Sequence, residues 1–468
     1  MDTSPAPRST PRVRRELAGG KRPLGHRTPQ PVRRPDPRRF SIEPTDAPLT
    51  AFSGLVGFGV FLRKIGIDRE LHDAFDPLKP SRLTVYSMGD VLRLIIDAQV
   101  LGRSRVFAIE ALAGDALFTA LAGGQIPSVD VLYDDLRRFG PEDLQRLRNL
   151  AIEQGLAELR SFRGSVLHLD LDSTVEPLFG TQQGAKAGPN PRYRGRPSYH
   201  PLVARVAETG TVVGAKLREG DTAFGDDDVE WVESVIDAVR AAVGANVMLV
   251  VRIDAAGDCT EVLRAIDAKG AVFVVKAKMT ADLCEVVASV PSRRWQTVER
   301  GVNKQPLRQV TAVTFSRRAW DAAAVRWEVI AVREWDRTGG RKLFLWEGED
   351  WTAYALLSNG FDWPEEDIVD AYAARAGIEP LIGELKHGYG MGAVPTEVFS
   401  ANEAMFLLKV LTHNLVRRYL REHHPHMSGW SIAWVRAVVL LVPGKLVRHA
   451  RRISVHVPAR SALVKRLN

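Results

Sequence analysis

The chain of 468 residues holds only two cysteines, Cys259 and Cys284. They are too few for a disulfide framework and are not spaced as a CxxC metal or redox pair. Nowhere does an apolar run reach the ~18 to 20 residues that a membrane span needs. Even "WVRAVVLLVP" is short and is broken by Arg436. The N-terminus has arginines with no apolar segment behind them and does not read as a secretory leader. Together these absences exclude a disulfide-stapled secreted scaffold and a membrane partner, and they set the expectation of a reducing, cytoplasmic setting. Acid is scarce at both ends. Residues 1–45 carry eleven Arg or Lys against four Asp or Glu, and residues 409–468 carry twelve against one. With the ends at +7 and +11 and the whole chain at +8, the stretch between them sums to −10. Basic ends suit neutralisation of phosphates, whereas an acidic centre that approaches the same phosphates needs cations to do so.

Residues 1–45 contain nine prolines and clustered arginines such as "PVRRPDPRR", which predicts a disordered basic arm. Residues 46–162 turn helical, with apolar residues at three and four spacing in "SMGDVLRLIIDAQVLG" and "EDLQRLRNLAIEQGLAELR". Between these segments "GGQIPSVDVLYDDLRRFG" opens a short helix with Ser128 as its N-cap. That arrangement fits a helix-turn-helix DNA reader, and equally a helical accessory domain that touches no DNA.

From 163 to 280 the period changes to two. A first strand is followed by a Gly-rich basic loop and by a hairpin turning at Thr209-Gly210. A helix, "DDDVEWVESVIDAVRAAV", then leads to the fully apolar strand "NVMLVVRID", which ends on Asp254. A helix near 259–268 and the strand "AVFVVKA" complete the order β-β-β-α-β-α-β, which predicts a mixed α/β sheet with helices on its faces. In this order the first and fourth strands can be neighbours. Residues 281–358 hold six of the ten tryptophans and alternating runs such as "RWEVIAVREW", and read as a β-rich insertion. Helical pattern returns over 359–395, where Pro364 and the acids Glu365, Glu366 and Asp367 suit a first turn. Residues 396–468 read as a helical, basic C-terminal region.

The first strand, within "LHLDLDSTVEPLFG", poses a physical question. Alternation puts Leu167, Leu169 and Leu171 on one face and His168, Asp170 and Asp172 on the other. Carboxylates on a buried face must be paired, hydrogen-bonded or metal-bound. Two readings stand open, a solvated edge strand and a functional face. A second polar stripe lies in the helix "WPEEDIVDAYAARAGIEPLIGELKHGYG": at about 100 degrees per residue, Tyr372, Arg375, Glu379 and Lys386 share a wedge of roughly 60 degrees. Alone this could be a salt-bridged solvent face, since Arg375 and Glu379 are an i, i+4 pair. Set beside Asp172 and Asp254, Glu379 supplies a third carboxylate, and three converging carboxylates suit Mg²⁺. Two such ions about 3.5 to 4 Å apart serve in-line displacement at phosphorus. Arg375 and Lys386 are then placed for phosphates, and Tyr372 for a hydrogen bond or stacking beside one.

Tyr372, Arg375, Glu379 and Lys386, at spacings of two, three and six intervening residues, resemble the Tyr-Arg-Glu-Lys signature of DDE transposases from bacterial insertion sequences. "LDLDST", "NPRYRGRPSYHPL", "VVRIDAAGD" and "FSANEAMFLLKVLTHNL" further resemble the IS-thirteen-eighty-like branch, over roughly residues 100 to 420. The resemblance implies a ribonuclease H-like core with a β-rich insertion. It implies that Asp172, Asp254 and Glu379 are catalytic and bind two Mg²⁺ ions, with Mn²⁺ able to substitute. The acid followed by Ser or Thr is the family's first ligand, which selects Asp172 and leaves Asp170 as a neighbour. The implied chemistry is hydrolysis at the ends of a mobile element and attack of the freed 3′ hydroxyl on target DNA, by a homodimer that pairs two ends. The other reading is an inactive, transposase-derived DNA-binding protein. Further DNA contacts are expected from Arg192, Arg194 and Arg196, with Tyr193 and Tyr199 interleaved, and from Trp295 beside Arg293 and Arg294. Pro380 directly after Glu379, with Gly377 nearby, predicts a kink, which would either re-aim Glu379 or mark an inactive copy.

Overall fold

The structure is a computed structural model that describes residues 36–81, 83–188, 194–335, 351–450 and 452–459. Most of the expected basic arm therefore lies outside the described residues. A short N-terminal unit ends at Ala47, and in it Asp36 caps the turn Pro37–Arg39 by accepting from the Arg38 amide. The main unit runs from Pro48 onward.

One nine-stranded mixed sheet organises the main unit. Its strands in chain order are β1 (Val166–Ser173), β2 (Leu202–Val206), β3 (Val212–Lys216), β4 (Met248–Ile253), β5 (Val272–Lys276), β6 (Gln296–Arg300), β7 (Pro306–Val313), β8 (Glu328–Trp335) and β9 (Trp351–Ser358). In space they run β6-β7-β8-β9-β5-β4-β1-β2-β3. β1, β4 and β5 are parallel neighbours, and β1 also pairs antiparallel with β2, so the strand that carries the acids is central and not an edge. The β-rich stretch 281–358 extends this same sheet, because β9 pairs antiparallel with β5.

Each sheet face has its own apolar layer. Leu167, Leu169 and Leu171 are fully buried in a cluster with helices α6 (Val229–Val243) and α7 (Thr260–Ala268). Burying each leucine contributes roughly 1.5 to 3 kcal/mol. The opposite face, through Val203, Val212 and Ala215, joins a cluster with N-terminal helices, including Ala116–Leu121 and five longer ones. The five are α1 (Leu55–Lys64), α2 (Ile67–Phe75), α3 (Met88–Val100), α4 (Val129–Leu136) and α5 (Pro141–Leu156). Ser128 caps α4, accepting from the Val131 amide, while Leu132 and Leu136 point that helix into the same cluster.

The sequence "FSANEAMFLLKVLTHNLVRRYLREH" forms the 25-residue helix α10 (Phe399–His423), 18 of whose residues are buried. Such all-round burial marks a core helix. Asn414 ties it to its neighbours, accepting from the Val212 amide at 2.9 Å and donating to the Ala151 and Val212 carbonyls at 2.8 Å each. Gly155 permits this approach, because a Cβ there would stand 2.2 Å from the Val212 oxygen.

The expected helical C-terminal region differs beyond Pro443. Gly444–His449 and Arg452–His456 form a β-hairpin whose first strand pairs with Leu49–Thr50. The physical reason is that Pro443 cannot continue a helix and the residues after it alternate with period two.

Candidate active site

Every polar side chain on the loaded face of β1 has a partner. His168 Nδ1 lies 2.7 Å from Glu208. Asp170, with no exposed surface, sits between Arg252 Nε at 2.6 Å and Arg205 at 3.3 Å. Strand register produces this row, since Asp170 stands directly opposite Arg205 on β2 and Arg252 on β4. Removing one member of such a buried pair typically costs about 3 to 5 kcal/mol, because the other charge is left stranded. Arg252 also donates to the Ala371 carbonyl at 2.9 Å, which ties the row to helix α8 (Glu365–Ala373), next to Tyr372.

Asp172, two residues on, faces the helical run after β9. The Arg375 guanidinium lies 3.1 Å from its carboxylate. Burial pushes the Asp172 carboxyl up to about 6; Arg375 opposes this, and the like charges of Asp254 and Glu379 add to it. Burial likewise pushes Tyr372 up to about 12, against Arg375 and assisted by Asp254, Asp172 and Glu379. All five groups therefore share one electrostatic neighbourhood. Asp254 follows β4 and caps the turn Ala255–Gly257 by accepting from the Ala256 amide at 2.9 Å. Glu379 is exposed.

The run that carries Tyr372 to Lys386 is not one uniform helix. α8 gives way to a 3-10 turn at Ala374–Gly377, then to α9 (Ile378–Gly383) and a π-turn at Glu384–Gly388. A single angular step per residue does not describe it, so the 60 degree wedge gives way to what each side chain touches. Pro380 falls in the first turn of α9, where a backbone N–H has no intrahelical acceptor and its loss costs little. The kink expected near Pro380 and Gly377 falls on the Gly377 side, in the 3-10 turn Ala374–Gly377.

Lys386 reaches back to the continuation of β1. Its ammonium lies 2.9 Å from a Glu176 oxygen and donates to the Val175 carbonyl at 2.9 Å. Behind Glu176 sits the buried Lys409, donating to the carbonyls of Gly390 at 2.6 Å and Ala393 at 2.9 Å. Burial lowers the Lys409 ammonium to about 7, with Glu176 opposing that shift. Sequence reasoning missed Glu176 and Lys409. Glu176 stood in plain sight within "DSTVEP", but its partners are distant in the chain.

A family model described as transposase DDE domain, group 1, matches residues 38–467. The chain belongs to that transposase family. No curated protein matches it. Among solved structures it is similar to the piggyBac transposase in a cryo-EM synaptic complex with hairpin DNA, at 11% identity and a TM-score of 0.41, with 82% of this chain and 81% of that chain covered.

The transposase's three candidate ligands are all carboxylates, a hard-oxygen donor set whose chemistry fits Mg²⁺ or Mn²⁺. Among the described residues no three acidic, histidine or cysteine side chains stand close enough together to hold a metal ion in this conformation. The cation seen at Asp172 is the guanidinium of Arg375.

The outlying DNA-contact candidates separate. Arg194 and Arg196 are exposed, and Arg196 lies over the ring of Phe179 at 5.1 Å. Arg192 and Tyr193 lie outside the described residues. Tyr199 is buried, donating to the Gln183 carbonyl and accepting from Asn402, so it presents no face to a base. Trp295 is also buried, with Arg333 stacked over its ring at 4.6 Å. In that place it is a core residue, because its large apolar area is worth more inside the β6–β9 layer than at the surface.

Proposed function

We propose that this transposase cleaves DNA at the ends of a bacterial insertion sequence and joins the freed 3′ hydroxyls to target DNA, through a ribonuclease H-like core. The observation that carries the reading is electrostatic: Asp172 on a buried central strand feels Asp254 and Glu379 as like charges and is answered by Arg375 at 3.1 Å. Gathering like charges in a half-buried place disfavours the fold, and such clusters recur where chemistry requires them. The antiparallel β1–β3 meander followed by the parallel β4 and β5 supports the assignment of the core.

In this reading Asp172, Asp254 and Glu379 hold two Mg²⁺ ions, or Mn²⁺ in their place. When bound, the metals supply charge neutralisation at the phosphate and activation of the attacking oxygen. The chain's own residues do the rest. Arg375 offers a planar fork to non-bridging phosphate oxygens and Lys386 offers a point charge. Tyr372, held protonated, donates its hydroxyl hydrogen to the DNA backbone. Asp170, Arg205 and Arg252 fix β1 against α8, so that these groups meet the phosphate in register. The exposed Arg194 and Arg196 track flanking phosphates. The protein works as a homodimer on DNA in the cytoplasm, associated with the nucleoid.

The test is incubation of the purified protein with its element-end DNA and Mg²⁺ or Mn²⁺. Nicking by the wild type, abolished by Asp172→Ala with binding retained, is the expected result. Binding without any nicking by the wild type would instead make the protein an inactive DNA-binding relative.

A further inference from the structure

We propose that Glu176 is a positioning residue for the Lys386 ammonium, and that Lys409 and Gly392 lock that carboxylate in place. The inference rests on the DNA-cleaving reading above and adds Glu176, Lys409 and Gly392 to its machinery. Glu176 lies where the chain leaves β1 and forms the short strand Glu176–Pro177 against Pro197–Tyr199. One carboxylate oxygen is 2.9 Å from Lys386, whose other contact is the carbonyl of the preceding residue, Val175. An ammonium has three donors. One of them goes to the Val175 carbonyl, the Glu176 carboxylate pairs with the charge from the adjacent residue, and a quarter of the Lys386 side chain stays open to solvent.

A free lysine must give up rotamer entropy when it grips a phosphate. This one has already surrendered much of that freedom on folding. Its place in the π-turn, about two helical turns beyond Glu379, keeps the oriented charge on the run that presents the third carboxylate.

The other side of Glu176 is built just as closely. A Cβ on Gly392 would come within 2.5 Å of Glu176 Oε2, so this glycine leaves the space the carboxylate occupies. Gly392 sits in the turn whose Gly390 and Ala393 carbonyls accept from Lys409, and Lys409 projects from the central helix α10. The column Lys386, Glu176, Lys409 thus connects a phosphate-gripping charge to the buried helix α10. Glu176 itself is 7% exposed, so the carboxylate end of the pair is shielded from solvent screening.

The experiment uses the full chain with element-end DNA, comparing wild type, Glu176→Gln, Lys386→Ala and the double variant. Glu176→Gln keeps the side-chain shape and removes the charge. It is expected to slow single-turnover cleavage at least about tenfold while end-DNA affinity stays within about threefold, and the double variant is expected to cleave no more slowly than Lys386→Ala alone. Wild-type cleavage by Glu176→Gln, or penalties that multiply in the double variant, would overturn the proposal. A second readout needs no cleavage: reductive methylation of lysines followed by mass spectrometry. Labelling of Lys386 should rise severalfold in Glu176→Gln and in Gly392→Ala, with other lysines unchanged, and an unchanged Lys386 rate would also overturn it. A wild type that neither binds nor cuts end DNA would count against the functional reading, and the labelling would still decide whether Glu176 holds Lys386.

Discussion

Asp172 is kept in a place that costs the fold stability. An unfolded aspartate titrates near 3.8, whereas this one titrates at about 6. Between those values the folded protein holds a proton that the unfolded chain has released, so stability falls as pH rises from 4 to 6 and stays lowered above 6. Asp172→Asn mimics the protonated side chain. In metal-free protein it should stabilise the fold by about 2 kcal/mol at pH 7.5, with the gain shrinking toward zero as pH falls to 4. Thermal midpoints of the two proteins across that range check this, and equal midpoints at pH 7.5 would refute it. Asp172 stands out in the sequence through its place on the strand and, by the family resemblance, through the serine after it. The pairing of Asp170 was not legible, because it depends on the register that sets Arg205 and Arg252 opposite. Tyr199 and Trp295 show the same limit: alternation and neighbouring arginines say nothing about which aromatic rings the core will claim.

Among the elements, the strands were the more readable. Period two and uninterrupted apolar runs located β1 through β5, and the expected order allowed β1 and β4 to be the neighbours they are. The run from Glu365 to Gly388 was harder, because a 3-10 turn and a π-turn leave the same i, i+3 and i+4 pattern in the residues as a regular helix. Pro380 drew attention as a helix breaker, yet it sits where a first turn tolerates it. Pro380→Ala should therefore change stability by no more than about 1 kcal/mol and leave cleavage intact. Urea unfolding together with the cleavage assay tests this, and a loss of several kcal/mol or of activity would show that proline shapes the run after all. The closing hairpin escaped notice because "WVRAVVLLVP" and the basic residues beyond it masked a short alternation after Pro443.

For the molecule as a whole, composition suggested a helical N-terminal region, a mixed sheet and a C-terminal helix as separate stretches. It could not show that α10 and helices α1 through α5 share one apolar cluster with a face of the sheet. Patterning reveals which side of an element is apolar but not which distant element covers it. A fragment of residues 163–468 would leave much of α10 without its cover. It should fail to give a cooperative thermal transition and should aggregate, as read by circular dichroism and size-exclusion chromatography. A monomeric, cooperatively folding fragment would contradict the shared core.

α10 carries a further consequence. Thr412 donates to Gln99 on α3, Asn414 engages α5 and β3, and Lys409 clamps the turn behind the π-turn. A single rod about 37 Å long thus serves as spindle for both halves. Swapping one module for another, as proteins strung on flexible tethers allow, would cut through this core. Substitutions on the outer surfaces leave the axle as it is.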